Sequence, residues 1–272
     1  MLHESVLSLV RQTTPCEIIV SVPDLSHVLE ETTRLPRVAV VTGSRGSCAQ
    51  RNSALSFIRG ECAAIFFFDD DVEVDCDYVG HMLAMLEKDS TIALAAGLNL
   101  GRGAVAGSLD RDKAKGLITE NKARPLGPEV ETIRAAIACR MCLRGSLLGI
   151  VRFDERLPLY GYQEDLDFSL QCRRHGRIVM NRRCLMVHIE TTAGRMGSKR
   201  RGYSEVVNPF YIWSKRTGAS LARVAAGSLR RTLRNAFHLH TADGRRQFAG
   251  NLAGWLRLTT GRADPEYILR LE

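Results

Sequence analysis

The chain has 272 residues, 45% of them hydrophobic and 25% charged, with a net charge of +8 at pH 7. That gives room for one large domain with a smaller appendage and enough apolar side chains for a sizeable core, so a disordered or low-complexity chain is excluded. No run of about 18 apolar residues occurs, and the first residues lack a basic start leading into an apolar stretch and a small-residue cleavage site, so neither a spanning helix nor an export signal is expected.

Eight cysteines, at positions 16, 48, 62, 76, 139, 142, 172 and 184, are scattered, many of them in apolar segments. Reduced buried thiols are distributed in this way, and a cytoplasmic protein is expected. Cys139 and Cys142 have the spacing of a zinc knuckle, but no second pair accompanies them, so two core thiols are the simpler reading. The charge is uneven. Between Arg195 and Arg262 stand 14 Lys or Arg against Glu205 and Asp243, a local +12, which leaves −4 for the remainder. The basic third is therefore where phosphates, anionic lipid or nucleic acid would be met.

In chain order, ESVLSLVR (4–11) carries a weak helical pattern, CEIIVSV (16–22) reads as a short buried strand, and RVAVVTG (37–43) as a second. SCAQRNSALSFIRG predicts a helix stopping at Gly60, and AAIFFF (63–68) a third strand too apolar to be half exposed. YVGHMLAMLEKD predicts the next helix, and TIALAAGLNL follows it. Strands alternating with helices at this spacing indicate an α/β domain on a Rossmann-like, mainly parallel sheet flanked by helices. Residues 101 to 130, rich in glycine, proline and charge, are expected to form a long loop or an insertion; the GRGAVAG within it has the wrong glycine spacing for a dinucleotide fingerprint. Order resumes near Ile133, with a helix at QEDLDFSLQCRRHG and a strand at RIVMNRRCLMVHI. The tail ASLARVAAGSLRRTLRNAFHL predicts a basic amphipathic helix, which either packs its apolar stripe on the domain or meets an anionic membrane surface.

Two acidic clusters could carry chemistry. Asp69, Asp70 and Asp71 stand where the apolar strand AAIFFF ends, the place where open α/β sheets bind ligands. Alternation along an extended chain sends Asp69 and Asp71 to one side and Asp70 to the other. Two converging carboxylates repel unless a cation or donor network neutralises them, so the pattern suits a hard divalent ion as well as a capped turn. Glu164, Asp165 and Asp167 crowd the first turn of a helix, where the macrodipole favours acids and where a general base could also be held.

Five segments in this order, LSLVRQTTPCEIIVSVPD, SCAQRNSAL, FFFDDDVEVDCDYV, FDERLPLYGYQEDLDFSLQCRRHG and VHIETTAGR, resemble a family 2 glycosyltransferase of the GT-A fold over residues 4 to 215. The resemblance implies a GT-A domain over 1–215 and a basic helical extension over 216–272. It implies that Asp71 holds Mg²⁺ or Mn²⁺, and that Asp69 faces the ribose or the metal. Asp165, with Glu164 beside it, matches the base that deprotonates an acceptor hydroxyl. Arg51 and Asn52 match the RN pair near the nucleotide sugar, Asp24 a contact to the base, and His188 a late metal or diphosphate ligand. The implied partners are a nucleotide-sugar donor and a glycan or lipid-linked acceptor, in polysaccharide or glycolipid assembly at the inner face of a membrane; nucleic acid is not an expected partner. The strand that usually opens the family is not found, so an N-terminally shortened domain is expected. A metal-dependent nucleotidyltransferase, an inactive relative and a basic nucleic-acid-binding module are the competing readings.

Overall fold

The computed structural model of the protein describes residues 1–101, 109–124, 127–189, 196–215, 218 and 220–271. The chain divides into two compact units, one of Met1–Arg45, Gln50–Arg152 and Phe168–Ala193, the other of Gly46–Ala49, Phe153–Asp167 and Gly194–Glu272.

The first unit opens with helix α1 (Leu2–Val10), strand β1 (Ile18–Val22), a short helix α2 (Glu30–Thr33) and strand β2 (Val38–Thr42). β1 and β2 form a parallel two-stranded sheet from Ile18 opposite Val38 to Val22 opposite Thr42. Val6 of α1 closes an apolar cluster with Ile18, Val20 and Val22. Helix α3 (Ser47–Phe57) starts among residues of the second unit and runs into the first. Then come β3 (Ala64–Phe68), β4 (Val72–Val74), α4 (Tyr78–Lys88), β5 (Ile92–Asn99), α5 (Arg111–Lys122), β6 (Val130–Thr132), β7 (Arg140–Arg144), α6 (Glu164–Cys172) and β8 (Arg177–His188). The main sheet runs β3-β7-β5-β8-β4, with β6 paired to β8.

Within the α/β class the main sheet is mixed rather than mainly parallel: β5 and β8 run parallel, while β3–β7, β5–β7, β4–β8 and β6–β8 are antiparallel. Strands covered on both faces read as continuous apolar runs whichever way their neighbours point, so the sequence pattern did not distinguish these pairings. The order has a further consequence. β3 and β4 end opposite sides of the path, yet only Asp69, Asp70 and Asp71 separate them. Four Cα steps reach at most about 15 Å, so the end of β3 and the start of β4, on opposite edges of the sheet, lie no further apart than that across the acidic triad. Tyr78, Met82, Leu86, Ile92, Cys142, Val179 and Met186 fill the core beneath.

Of the two expectations for 101–130, an unstructured loop does not hold, since the segment contains α5. Asp110 caps it by accepting from the Lys113 N–H at 2.9 Å, and Ala114 and Ile118, one turn apart, bury against Leu185 and Val187. Gly116 and the charged outward positions masked that stripe. Most of GRGAVAG lies outside the described residues.

The second unit gathers α7 (Ser198–Ser214), α8 (Leu221–Ala236), α9 (Ala242–Thr259) and a 3₁₀ turn at Pro265–Arg270. Tyr203, Val207, Ile268 and Leu271 form its apolar cluster. The predicted tail helix corresponds to α8, but its apolar stripe is not packed inward as one reading held: its buried side chains are Ser228, Thr232 and Asn235. The cause lies on α7, where Glu205 is buried and draws polar partners towards it.

Candidate active site

In the first unit the ends of the strands bring together residues from four separate stretches of the chain: Arg51, Asp69 with Asp71, Cys139 and His188. Phe68, the last residue of β3, pairs with Arg140, so Asp69 falls on the next rung beside Cys139. Val72 pairs with His188, and the Ile189 N–H donates to the Asp71 carbonyl at 2.9 Å, which sets Asp71 beside the end of β8. His188 Nε2 lies 2.7 Å from Asp71 Oδ1 and 3.9 Å from Asp69 Oδ2. Arg51 Nη2, from α3, donates to Asp69 Oδ1 at 2.9 Å. One ligand atom each of Asp69, Cys139 and His188 lies within 4.8 Å of the others, the spread that ligands around one ion require.

The support around these groups is polar and ordered. Asn99 Oδ1 accepts the His188 N–H at 3.1 Å and the Gly101 N–H at 3.0 Å, fixing the end of β8. Ser5 Oγ donates to the Asp70 carbonyl at 2.9 Å and accepts from the Val72 N–H at 3.1 Å, pinning the turn between the strands. Burial, and after it the charges of Asp71 and Asp69, push the Asp70 carboxyl above the usual range. Burial likewise pushes the Cys139 thiol up, with the Asp69 charge adding to it.

In the second unit the residues before Glu164 take an unusual path. Leu159, Gly161 and Gln163 all have left-handed backbones, with φ of 60°, 65° and 68°. A leucine and a glutamine held there store strain of roughly 1–3 kcal/mol each, a cost commonly met beside functional groups. The Gln163 side-chain oxygen is buried and accepts no hydrogen bond among the described residues. The turn delivers Glu164 and Asp165 to the start of α6, with Glu164 buried and the Asp165 carboxylate accepting the Leu166 N–H at 2.7 Å. Asp167 differs from its neighbours. It is 2% exposed and paired with Lys215 Nζ at 2.7 Å, so its charge is engaged structurally.

Residues 1–124 match the family model of Glycosyl transferase family 2. The crystal structure of GalNAc-T7 with UDP, GalNAc and Mn²⁺ superposes with a TM-score of 0.54 at 18% identity, over 76% of this chain and 46% of that one. The chain has the GT-A fold. The S. aureus TarS crystal structure aligns at 18% identity with a TM-score of 0.48, over 76% of this chain and 37% of TarS. The chain thus spans less than half the length of either structure. Among curated proteins, none matches it in sequence.

Of the residues singled out in the sequence, the GT-A sheet brings Asp69, Asp71, His188 and Arg51 into one cluster. Asn52, on α3 next to Arg51, is buried. Asp24 follows β1 and accepts the Ser26 N–H at 2.8 Å, so its described role is to cap a 3₁₀ turn. Glu164 and Asp165 head α6 in the other unit. The end of VHIETTAGR, residues 190–195, lies outside the described residues. Sequence reasoning passed over Cys139 and Asn99: each enters through strand register, and neither stands in a recognisable spacing with the acids it joins.

Proposed function

We propose that the protein is an inverting glycosyltransferase that moves a sugar from a nucleotide-sugar donor to a hydroxyl acceptor. The observation that carries this reading is the convergence of Asp69, Asp71 and His188 at the strand ends of the main sheet, in a chain whose first 124 residues match the family model. The donor set fits a Mg²⁺ or Mn²⁺ ion: the His188 imidazole lies 2.7 Å from the Asp71 carboxylate and 3.9 Å from that of Asp69, and oxygen and nitrogen ligands suit such ions. Asp69, Asp71 and His188 would hold the ion, which when bound neutralises the charge developing on the diphosphate leaving group.

The other residues have separable tasks. Arg51 anchors the Asp69 carboxylate, and Asn52 and Asp24 are assigned to the donor by the family resemblance. Asp165, with Glu164 beside it, takes the proton of the acceptor hydroxyl. A hydroxyl is a poor nucleophile at neutral pH, and one carboxylate base acting on the face opposite the leaving group gives inversion at C1. The finer parts of the reading are a lipid-linked acceptor, a place in polysaccharide or glycolipid assembly, and work in the cytoplasm at a membrane face. Their support is the charge of the basic third rather than the cluster itself.

The test is a panel of nucleotide sugars with Mn²⁺ or Mg²⁺, read by donor consumption, by the anomeric configuration of the product and by Mn²⁺ binding. The expected result is metal-dependent turnover with inverted product. Asp71→Asn should lose Mn²⁺ binding and turnover together, and Asp165→Asn should lose roughly 10²–10⁴-fold in kcat while still binding the metal. A protein that no donor stabilises or is consumed by, and whose Asp71→Asn variant behaves as the parent, would sink the proposal.

A further inference from the structure

Helix α8 wears its faces inside out. At 100° per residue, Ala222, Ala226, Leu229, Leu233 and Phe237, the residue that caps the helix, fall on one narrow stripe. That stripe faces solvent, with Leu229 50%, Leu233 54% and Phe237 82% exposed. Ser228, Thr232 and Asn235 make the buried face instead, and each is held. Asn235 Nδ2 donates to Glu205 Oε2 and to Asn251 Oδ1, both at 2.8 Å, Ser228 Oγ to the Glu205 carbonyl at 3.3 Å, and Trp255 Nε1 to Thr232 Oγ1 at 2.9 Å. The helix cannot roll its leucines inward without stripping these partners from Glu205, which is 1% exposed. The apolar exposure is therefore locked in by the packing on the other side.

The charges beside the stripe say what covers it. Arg223, Arg230 and Arg234 follow the stripe along one flank, all exposed, and no acidic residue occurs between Glu205 and Asp243. Arg234 also lies 3.5 Å from Glu205, whereas Arg223 and Arg230 make no ion pair among the described residues. Arg245 and Arg246 at the start of α9 are exposed as well, as are Leu252 and Leu256 further along it. A second copy laid on this face would set arginines beside arginines. An anionic lipid surface satisfies both features at once, since its headgroups meet the basic flank and its acyl boundary takes the leucines and the phenylalanine. Among the described residues no helix is long and apolar enough to cross a membrane, so α8 would lie along the surface.

We infer that the exposed stripe of α8, Leu229, Leu233 and Phe237 with the flanking Arg223 and Arg230, is a docking face for an anionic membrane surface. The inference deepens the membrane-face part of the proposed function; it rests on α8 and its packing, and its test is read by vesicle binding, separately from sugar transfer.

The experiment is sedimentation of the full chain with vesicles of phosphatidylglycerol and phosphatidylcholine in equal parts, and with phosphatidylcholine alone. Amide hydrogen exchange of α8 is followed in parallel. The expected result is binding to the anionic vesicles, little to the neutral ones, and protection gained along α8. A triple variant, Leu229→Gln, Leu233→Gln and Phe237→Gln, should melt like the parent and bind at least about tenfold more weakly, because each exposed apolar side chain adds to such binding in proportion to the area it buries. The double variant Arg223→Gln, Arg230→Gln should also bind more weakly and lose part of the salt dependence. Absence of binding to anionic vesicles would overturn the inference, and so would binding that the triple variant retains, which would be charge attraction without docking. A dimer in solution that the triple variant turns into a monomer would assign the stripe to a second copy instead.

Discussion

Cys139 enters the acidic cluster through strand register alone. Phe68 pairs with Arg140, the next rung sets Asp69 beside Cys139, and the thiol comes within ligand distance of His188. The sequence showed only a CxxC fragment, whose second member, Cys142, is spent in the core. Asp69, Asp71 and His188 were legible because alternation at a strand end and the family resemblance both mark them. Cys139 was not, because nothing local announces which residue lies across a ladder from a distant part of the chain. A thiolate is a soft ligand, poorly suited to Mg²⁺ or Mn²⁺ and well suited to softer ions. Titration with Co²⁺ should therefore produce a near-ultraviolet thiolate-to-cobalt charge-transfer band that Cys139→Ser removes, with Mn²⁺ affinity little changed. If no such band forms in the parent, Cys139 only packs against the carboxylates.

The helices of the second unit are positioned by small and polar residues more than by apolar stripes. α7 and α9 cross at glycines. A Cβ on Gly202 would lie 1.9 Å from the Gln247 carbonyl oxygen, and one on Gly250 would lie 2.0 Å from that of Lys199. Both obstacles are backbone, which cannot step aside as a flexible side chain does. Gly250→Ala should therefore destabilise the protein by about 2–3 kcal/mol in denaturant titration, although alanine is intrinsically the better helix former. Gly116→Ala in α5, where a Cβ meets nothing within 4 Å, should show that intrinsic preference and stabilise by up to about 1 kcal/mol. A gain in both variants would mean that the crossing is looser than described. The close approach also explains why α8 was half legible. Its length and periodicity were plain in the sequence, but the face it turns inward is chosen by Glu205 on α7 and Asn251 on α9, which a one-helix pattern does not contain. α5 was missed for a related reason: its buried stripe is only Ala114 and Ile118, too short to stand out among its charges.

The α/β class was readable along the whole chain because strands and helices alternate, whereas the mixed strand directions and the interleaving of the two units were not. Both units draw on separated stretches, and residues 153–167 join the second one rather than the sheet that precedes them. Polar ties explain that allegiance. Asn208 Nδ2 donates to the Tyr162 carbonyl at 2.9 Å, and Lys215, just beyond α7, places Nζ 2.7 Å from Asp167 Oδ1 and 2.5 Å from Asp154 Oδ2. Tyr211 Oη adds a fourth bond, donating to Asp154 at 2.6 Å. Burial alone would raise the Asp154 carboxyl, but the bonds from Lys215 and Tyr211 outweigh it and hold the group below the usual carboxylate range. Because its folded pKa is depressed, the stability Asp154 contributes is full above its unfolded value of about 3.9 and is lost as pH falls through the lower folded value. Lys215→Met should flatten that acid dependence. It also leaves the buried Asp167 without this cation, a loss of roughly 3 kcal/mol or more. Native-state hydrogen exchange should show where the loss falls, since residues held by one set of contacts open together. Amides of residues 153–167 and of α7 should exchange faster in the variant, while those of β5 and β7, whose core shares none of these ties, keep their protection. An equal fall in all of them would instead mean that the two units open as one, and that Lys215 supports the whole chain rather than the segment that carries Glu164 and Asp165.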